Sequence, residues 1–138
     1  MKIYFAGSIR AGREDWEIYS EIIKELQNYG HVLTEHIGQK ELSDKGESLP
    51  FEQIYQRDMK WLKEADVMVA EITTPSLGVG YEIGVAEGLG KRILCLYREV
   101  PDKRVSGMIL GNSRLTIKVY TDHKSLQDIL KEFFIQSA

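Results

Sequence analysis

The sequence is poor in cysteine, histidine and proline, with one, three and three of them in 138 residues, and no apolar run approaches the ~18 residues of a membrane-spanning helix. A single cysteine excludes a disulfide framework within the chain, and a zinc site would have to be assembled from three scattered histidines. That cysteine, Cys95, lies in the apolar run RILCLY, where a thiol is a small hydrophobe and not a nucleophile. Charge of one sign is lacking as well. A net charge of -3 with both signs scattered leaves no broad basic face for polymeric nucleic acid. The opening KIYFAGS turns polar too soon for a signal peptide, so the expectation is a cytoplasmic protein with no membrane partner.

What remains is ordinary globular composition, 43% apolar and 28% charged, of a length suited to one domain over residues 1–138. Strand-like apolar runs fall at Ile3 to Ala6, Val32 to Thr34, Val67 to Ile72, Ile93 to Tyr97 and Leu115 to Tyr120. Helical periodicity lies between them. REDWEIYSEIIKELQNYG aligns Trp16, Tyr19, Ile22, Ile23 and Leu26 and stops at Gly30, read as a C-terminal cap. PFEQIYQRDMKWLKEAD starts from Pro50 and aligns Phe51, Ile54, Tyr55 and Leu62. VGYEIGVAEGLG and HKSLQDILKEFF supply two more helices. Buried strands alternating with helices predict an α/β fold, a doubly wound five-stranded parallel sheet in the flavodoxin-like or Rossmann-like manner, order 2-1-3-4-5. Ligands of such sheets bind beyond the carboxyl ends of the strands, near the switch in strand order.

Three stretches stand where that rule points. GSIRAGRE, Gly7 to Glu14, has the spacing of a phosphate-binding loop. It lacks the Lys and Ser/Thr that serve a triphosphate, and Ile9 breaks the dinucleotide fingerprint. A glycine-rich turn entering a helix, with Ser8 and Arg10 as further donors, suits a monophosphate; a tight turn with solvated arginines is the bland alternative. Asp58 occupies the stripe of Phe51, Ile54, Tyr55 and Leu62 expected to face the core, where an unpaired carboxylate costs several kcal/mol. Pairing with a nearby arginine or capping a neighbouring backbone is the other account; Arg57 and Lys60 fall elsewhere on the helix. Glu82 sits in SLGVGYEIG, placed by Pro75, Gly78 and Gly80 in the first turn of a helix whose dipole would hold it ionised. A rigid, partly desolvated carboxylate is what attack on an electron-poor carbon requires, whereas a capping role leaves the small neighbours unexplained.

Gly80, Gly84 and Gly88 form a stripe that permits close approach of another helix, within the monomer or from a second subunit. Tyr4, on the first strand, is either a core residue whose hydroxyl finds a backbone partner or, since its strand neighbours the third, one whose hydroxyl can approach the carboxylates. His36 closes LTEH at the end of the second strand, and Gly38 to Leu49 is a polar loop and a candidate lid.

MKIYFAGSIRAGRED, LTEH, QRDMKWLKEADVMVAEITTPSLGVGYEIG and KRILCLYR together closely resemble the 2′-deoxynucleoside 5′-monophosphate N-hydrolase family, a branch of the nucleoside 2-deoxyribosyltransferase superfamily. The resemblance runs through nearly the whole chain. It implies a homodimer with shared active sites, no cofactor or metal, and cleavage of the base from a deoxynucleoside 5′-monophosphate. By matching motif, Glu82 resembles the nucleophile, Asp58 the carboxylate that meets base or sugar and assists proton transfer, and Tyr4 the residue that orients the nucleophile. Gly7, Ser8, Ile9, Arg10, Gly12, Ser76 and Gly78 fall on the monophosphate-binding segments. His36 matches a pocket position near the base, and Ser106 a serine reaching the phosphate from the neighbouring subunit. Ala11 stands where animal members carry Gly. Other activities compatible with these residues are a deoxyribosyltransferase, a ribonucleotide N-glycosidase of CMP type, and a monophosphate sensor without catalysis.

Overall fold

A computed structural model of the chain describes residues 1–9, 15–38 and 47–136. In chain order the elements are β1 (Lys2–Ala6), α1 (Trp16–Leu26), β2 (His31–Val32), a 3₁₀ turn (Glu35–Gly38), α2 (Phe51–Glu64), β3 (Val67–Glu71), α3 (Leu77–Gly88), β4 (Arg92–Tyr97), α4 (Gly107–Leu110), β5 (Thr116–Val119) and α5 (His123–Ile135). The five strands form one parallel sheet in the order β2-β1-β3-β4-β5, as the alternation of elements predicts.

Period-two alternation divides the core. Ile3 and Phe5 of β1, Val67 and Val69 of β3, and Leu94 and Leu96 of β4 face one side and bury against Tyr19, Ile22 and Leu26 of α1 and Leu126, Leu130 and Phe133 of α5. Their neighbours Tyr4 and Ala6, Met68 and Ala70, and Ile93 and Cys95 face the other side, against Leu62 of α2 and Val79, Ile83 and Ala86 of α3. Each Val, Leu, Ile, Phe or Met among them contributes roughly 1.5–3 kcal/mol by leaving water. The same alternation points Tyr4 toward α2 and α3 and away from α1.

Local chemistry moves several boundaries. β2 is two residues long, not three, because Thr34 ends it: its Oγ1 accepts from Phe5 N at 2.9 Å and donates to Phe5 O at 2.6 Å, replacing the strand's backbone partner. Gly30 is not a left-handed cap; among the described residues only Gly90, just past α3, has positive φ, at 75°. Gly30 is needed for another reason, since a Cβ there would collide with the Met1 carbonyl oxygen. α3 starts earlier than expected, at Leu77 with Ser76 as N-cap, so Gly78 and Gly80 lie inside the helix. The Ser76 hydroxyl accepts from Val79 N at 3.2 Å and satisfies one of the free donors of the first turn.

The stripe on α2 is also corrected. Of its expected core residues only Leu62 is buried, whereas Phe51 and Tyr55 are 71% and 54% exposed. An apolar stripe identifies a face that seeks cover; it does not say whether core, cavity or another chain supplies it. Gly80, Gly84 and Gly88 behave likewise, with nothing within 4 Å of a Cβ built on any of them, so no helix of the described chain packs across that stripe.

Candidate active site

Glu82 and Tyr4 meet between the sheet and α3. Tyr4 is buried on β1, and its hydroxyl donates to Glu82 Oε2. Glu82 is the sixth residue of α3, in its second turn, so the expected first-turn position is not found and the dipole's hold weakens accordingly. Burial pushes the Glu82 carboxyl up to about 7, a rise moderated by the Tyr4 hydrogen bond and reinforced by the nearby charge of Asp58. The expectation of a carboxylate held ionised is therefore corrected: burial outweighs the dipole, and Glu82 exchanges its proton near neutrality. The same burial and the adjacent Glu82 keep the Tyr4 phenol protonated far above its ordinary range.

Asp58 reaches the same place from α2. One cavity of about 650 Å³ is lined by Gly7, Ile9, Glu47, Phe51, Ile54, Asp58, Ser76, Gly78 and Glu82. Burial raises the Asp58 carboxyl above its ordinary value although Arg57 opposes the rise. That pairing overturns the view of Arg57 as lying elsewhere: its Nε donates to Asp58 Oδ1 at 2.9 Å, and it forks onto Glu47 at 2.6 and 2.7 Å. Successive helical residues do not normally face each other, which is why periodicity hid this pair. Glu47 comes from an irregular stretch and gives no periodic signal at all.

Gly7 and Ile9, just after β1, line this cavity. Gly7 is required by packing, since a Cβ would lie 2.9 Å from the Tyr19 ring. Ser8 N donates to the Tyr19 hydroxyl at 3.1 Å, while the fully buried Ser8 Oγ has no hydrogen-bond partner among the described residues. Arg10, Ala11 and Gly12 lie outside the described residues, as does 39–46 of the candidate lid. His36 sits on the 3₁₀ turn, with Nε2 3.3 Å from Glu47 Oε1 and its ring 5.8 Å from Trp61. Burial lowers its pKa, keeping the imidazole neutral at neutral pH. Ser106 is not in the cavity. It caps α4 and, with Ser76, Leu77 and Tyr81, lines an adjoining hollow of about 780 Å³.

Sequence reasoning also missed a polar network under the strand ends. Glu71, fully buried at the end of β3, accepts from Thr73 N at 2.7 Å, Thr73 Oγ1 at 2.9 Å and the Tyr120 hydroxyl. Arg98 joins it at 3.5 Å to Asp15 at 3.1 Å, and Thr74 donates to Asp15 at 3.2 Å. These bonds tie the start of α1 to the loop that carries Ser76. Its outward sign in the sequence was a charged residue closing a buried strand. Cys95 is buried, its thiol pushed up to about 12, outside the range of a reactive thiolate at neutral pH.

The fold and this cavity define an α/β protein in which two carboxylates, Asp58 and Glu82, line a hollow beside Gly7 and Ile9, with a buried tyrosine bonded to one of them from behind. The sequence pattern of the nucleoside 2-deoxyribosyltransferase family matches residues 3–125, and the chain belongs to that family. Among its relatives, the 5-hydroxymethyl-dUMP N-hydrolase of Danio rerio is 51% identical over 137 residues, covering 97% of this chain and 96% of the relative. The Homo sapiens protein of the same name is 44% identical, over 96% of this chain and 78% of its own. A putative 2′-deoxynucleoside 5′-phosphate N-hydrolase of Nematostella vectensis is 49% identical, over 96% and 93%. Among solved structures, a Clostridium botulinum CMP N-glycosidase superposes with a TM-score of 0.69 at 19% identity, covering 96% of this chain and 99% of that one, a likeness of fold.

Proposed function

We propose that this chain hydrolyses the N-glycosidic bond of 2′-deoxynucleoside 5′-monophosphates, giving free base and 2-deoxyribose 5-phosphate through a glutamyl-enzyme intermediate. That it is an enzyme of the N-glycosidase kind follows from its family and from relatives named as N-hydrolases. The observation that best supports the finer reading is the meeting of Glu82 and Asp58 at one cavity wall, with Tyr4 bonded to Glu82 from the core and an unpartnered buried hydroxyl on Ser8 after β1.

In this mechanism the ionised Glu82 attacks the anomeric carbon as the bond to the base nitrogen breaks, through an oxocarbenium-like transition state. Asp58, protonated, or a water that it positions, delivers the proton that the departing base requires. Water then attacks the same carbon, the ester to Glu82 breaks, and configuration is retained. Tyr4 donates to Glu82 and favours its ionised form. Ser8 and Ser76, with Arg10 and the backbone of Gly7, Ile9, Gly12 and Gly78, receive the phosphate, and His36 stands toward the base. A phosphate subsite favours a monophosphate over the unphosphorylated nucleosides used by transferases.

A homodimer in the cytoplasm belongs to the same reading. The open glycine stripe of α3 and the exposed Leu77, Tyr81, Tyr55 and Met108 around it, 96, 56, 54 and 88% accessible, offer one continuous apolar surface for a second copy. In that arrangement Ser106 approaches the partner's phosphate site. The test is a panel of deoxy- and ribonucleoside 5′-monophosphates beside the matching nucleosides, with free base measured by chromatography. Release from the deoxy monophosphates, lost in Glu82→Ala while nucleotide binding persists, is the expected result. Near-native turnover by Glu82→Ala eliminates the nucleophile, and intact nucleotide throughout favours a sensor.

A further inference from the structure

Asp58 projects from α2 beside Arg57, a neighbour that helical geometry should turn about 100° away. Arg57 nonetheless folds back onto it, placing Nε 2.9 Å and a terminal nitrogen 2.8 Å from Asp58 Oδ1. Two groups hold Arg57 in this pose. Glu47 takes both of its terminal nitrogens, at 2.6 and 2.7 Å, and the guanidinium lies over the Trp61 ring at 4.8 Å. His36 in turn stands 3.3 Å from Glu47. Asp58 Oδ2 is left with no hydrogen-bond partner among the described residues, on a carboxyl that lines the cavity.

We propose that Arg57 is a positioning residue for the reaction: locked by Glu47 and Trp61, it clamps one oxygen of Asp58 and leaves the other free to meet the substrate at the cavity wall. This rests on the role given to Asp58 in the proposed function. A planar fork satisfied on two edges holds a carboxylate in one orientation, which a flexible ammonium cannot do. Glu47 acts twice, since it immobilises Arg57 and also competes with Asp58 for the same charge. Among the described residues, the charged and titratable groups around Asp58 are Arg57 on its own helix, Glu47 before it, His36 on the 3₁₀ turn, Glu82 on α3 and Tyr4 on β1. Of these Arg57 is the one permanent cation, so the clamp that sets the direction of Asp58 also opposes the rise in its proton affinity that burial causes.

The test separates these effects from folding and from the activity itself. Carbon-detected NMR of the carboxyl groups, with Asp58 assigned by its absence in Asp58→Asn, follows the titration of Asp58 without any substrate. Loss of the cation in Arg57→Gln is expected to raise its midpoint by about one pH unit or more. Glu47→Gln removes a like charge and a competitor, and is expected to lower it. Arg57→Lys keeps the charge but not the fork: kcat should fall about tenfold or more through lost orientation, with the dissociation constant for the nucleotide monophosphate little changed. It also serves if Arg57→Gln fails to fold. Unmoved midpoints in both charge variants, or native kcat in Arg57→Lys, overturn the proposal. Absence of base release by the wild-type chain would instead sink the hydrolase reading, leaving the titration result to stand or fall independently.

Discussion

Replacing Glu82 by Gln tests whether burial governs the proton on this carboxyl. The folded Glu82 carboxyl is raised from an ordinary 4.5 to about 7, chiefly by burial. Because the folded value lies above the unfolded one, folding favours the protonated group. The stability this lends is complete below about pH 4.5 and is lost as pH rises through about 7. The gap corresponds to on the order of 3 kcal/mol. Gln has nearly the same shape and no proton to lose, so Glu82→Gln should be stabilised relative to wild type by about 3 kcal/mol more at pH 8.5 than at pH 4.5. At roughly 3 °C per kcal/mol for a chain of this size, the difference in Tm between the two proteins should change by about 10 °C across that range. Urea unfolding at both pH values gives the free energies, and calorimetry the temperatures. The double comparison cancels the contact that Gln gains or loses with Tyr4. A difference between the two proteins that does not vary with pH refutes the reasoning, because it would mean that the buried carboxyl keeps its ordinary proton affinity.

Tyr4→Phe removes the donor that offsets burial, so the midpoint of Glu82 should move further up and the acid limb of kcat/KM should follow by about one pH unit. An unshifted limb would show that the hydroxyl does not support the ionised form. On the open stripe of α3, a Cβ at Gly84 meets nothing within 4 Å among the described residues, so the stem of Gly84→Arg enters open space. Gly84→Arg should therefore leave Tm within a few degrees, and on the proposed dimer it should shift the mass in light scattering from two copies to one; an unchanged mass of two copies would place the interface elsewhere.

How far the sequence alone reaches can be followed through particular residues. Strand runs alternating with helical runs determine a parallel sheet, since buried apolar segments of those two periods have few other ways to cover one another, and the observed order is 2-1-3-4-5. Asp58 on an apolar stripe and Glu82 among small residues were legible as anomalies, because desolvating a carboxylate has a cost that local pattern exposes. Other features were not legible. The α2 stripe faces a cavity and an open surface where the pattern suggested core, and periodicity cannot distinguish these. Nor could it foresee that Glu82 lies one turn too deep for the dipole to outweigh burial.

Only the tertiary structure decided which charges meet. Arg57, Glu47 and His36 converge beside Asp58 from a helix, an irregular stretch and a 3₁₀ turn, and Glu71, Arg98 and Asp15 join three separate parts of the chain. Hydrophobic periodicity is a property of neighbours in sequence and so specifies the elements. Proton affinities and ion pairs depend on distance and desolvation, which exist only once those elements have packed.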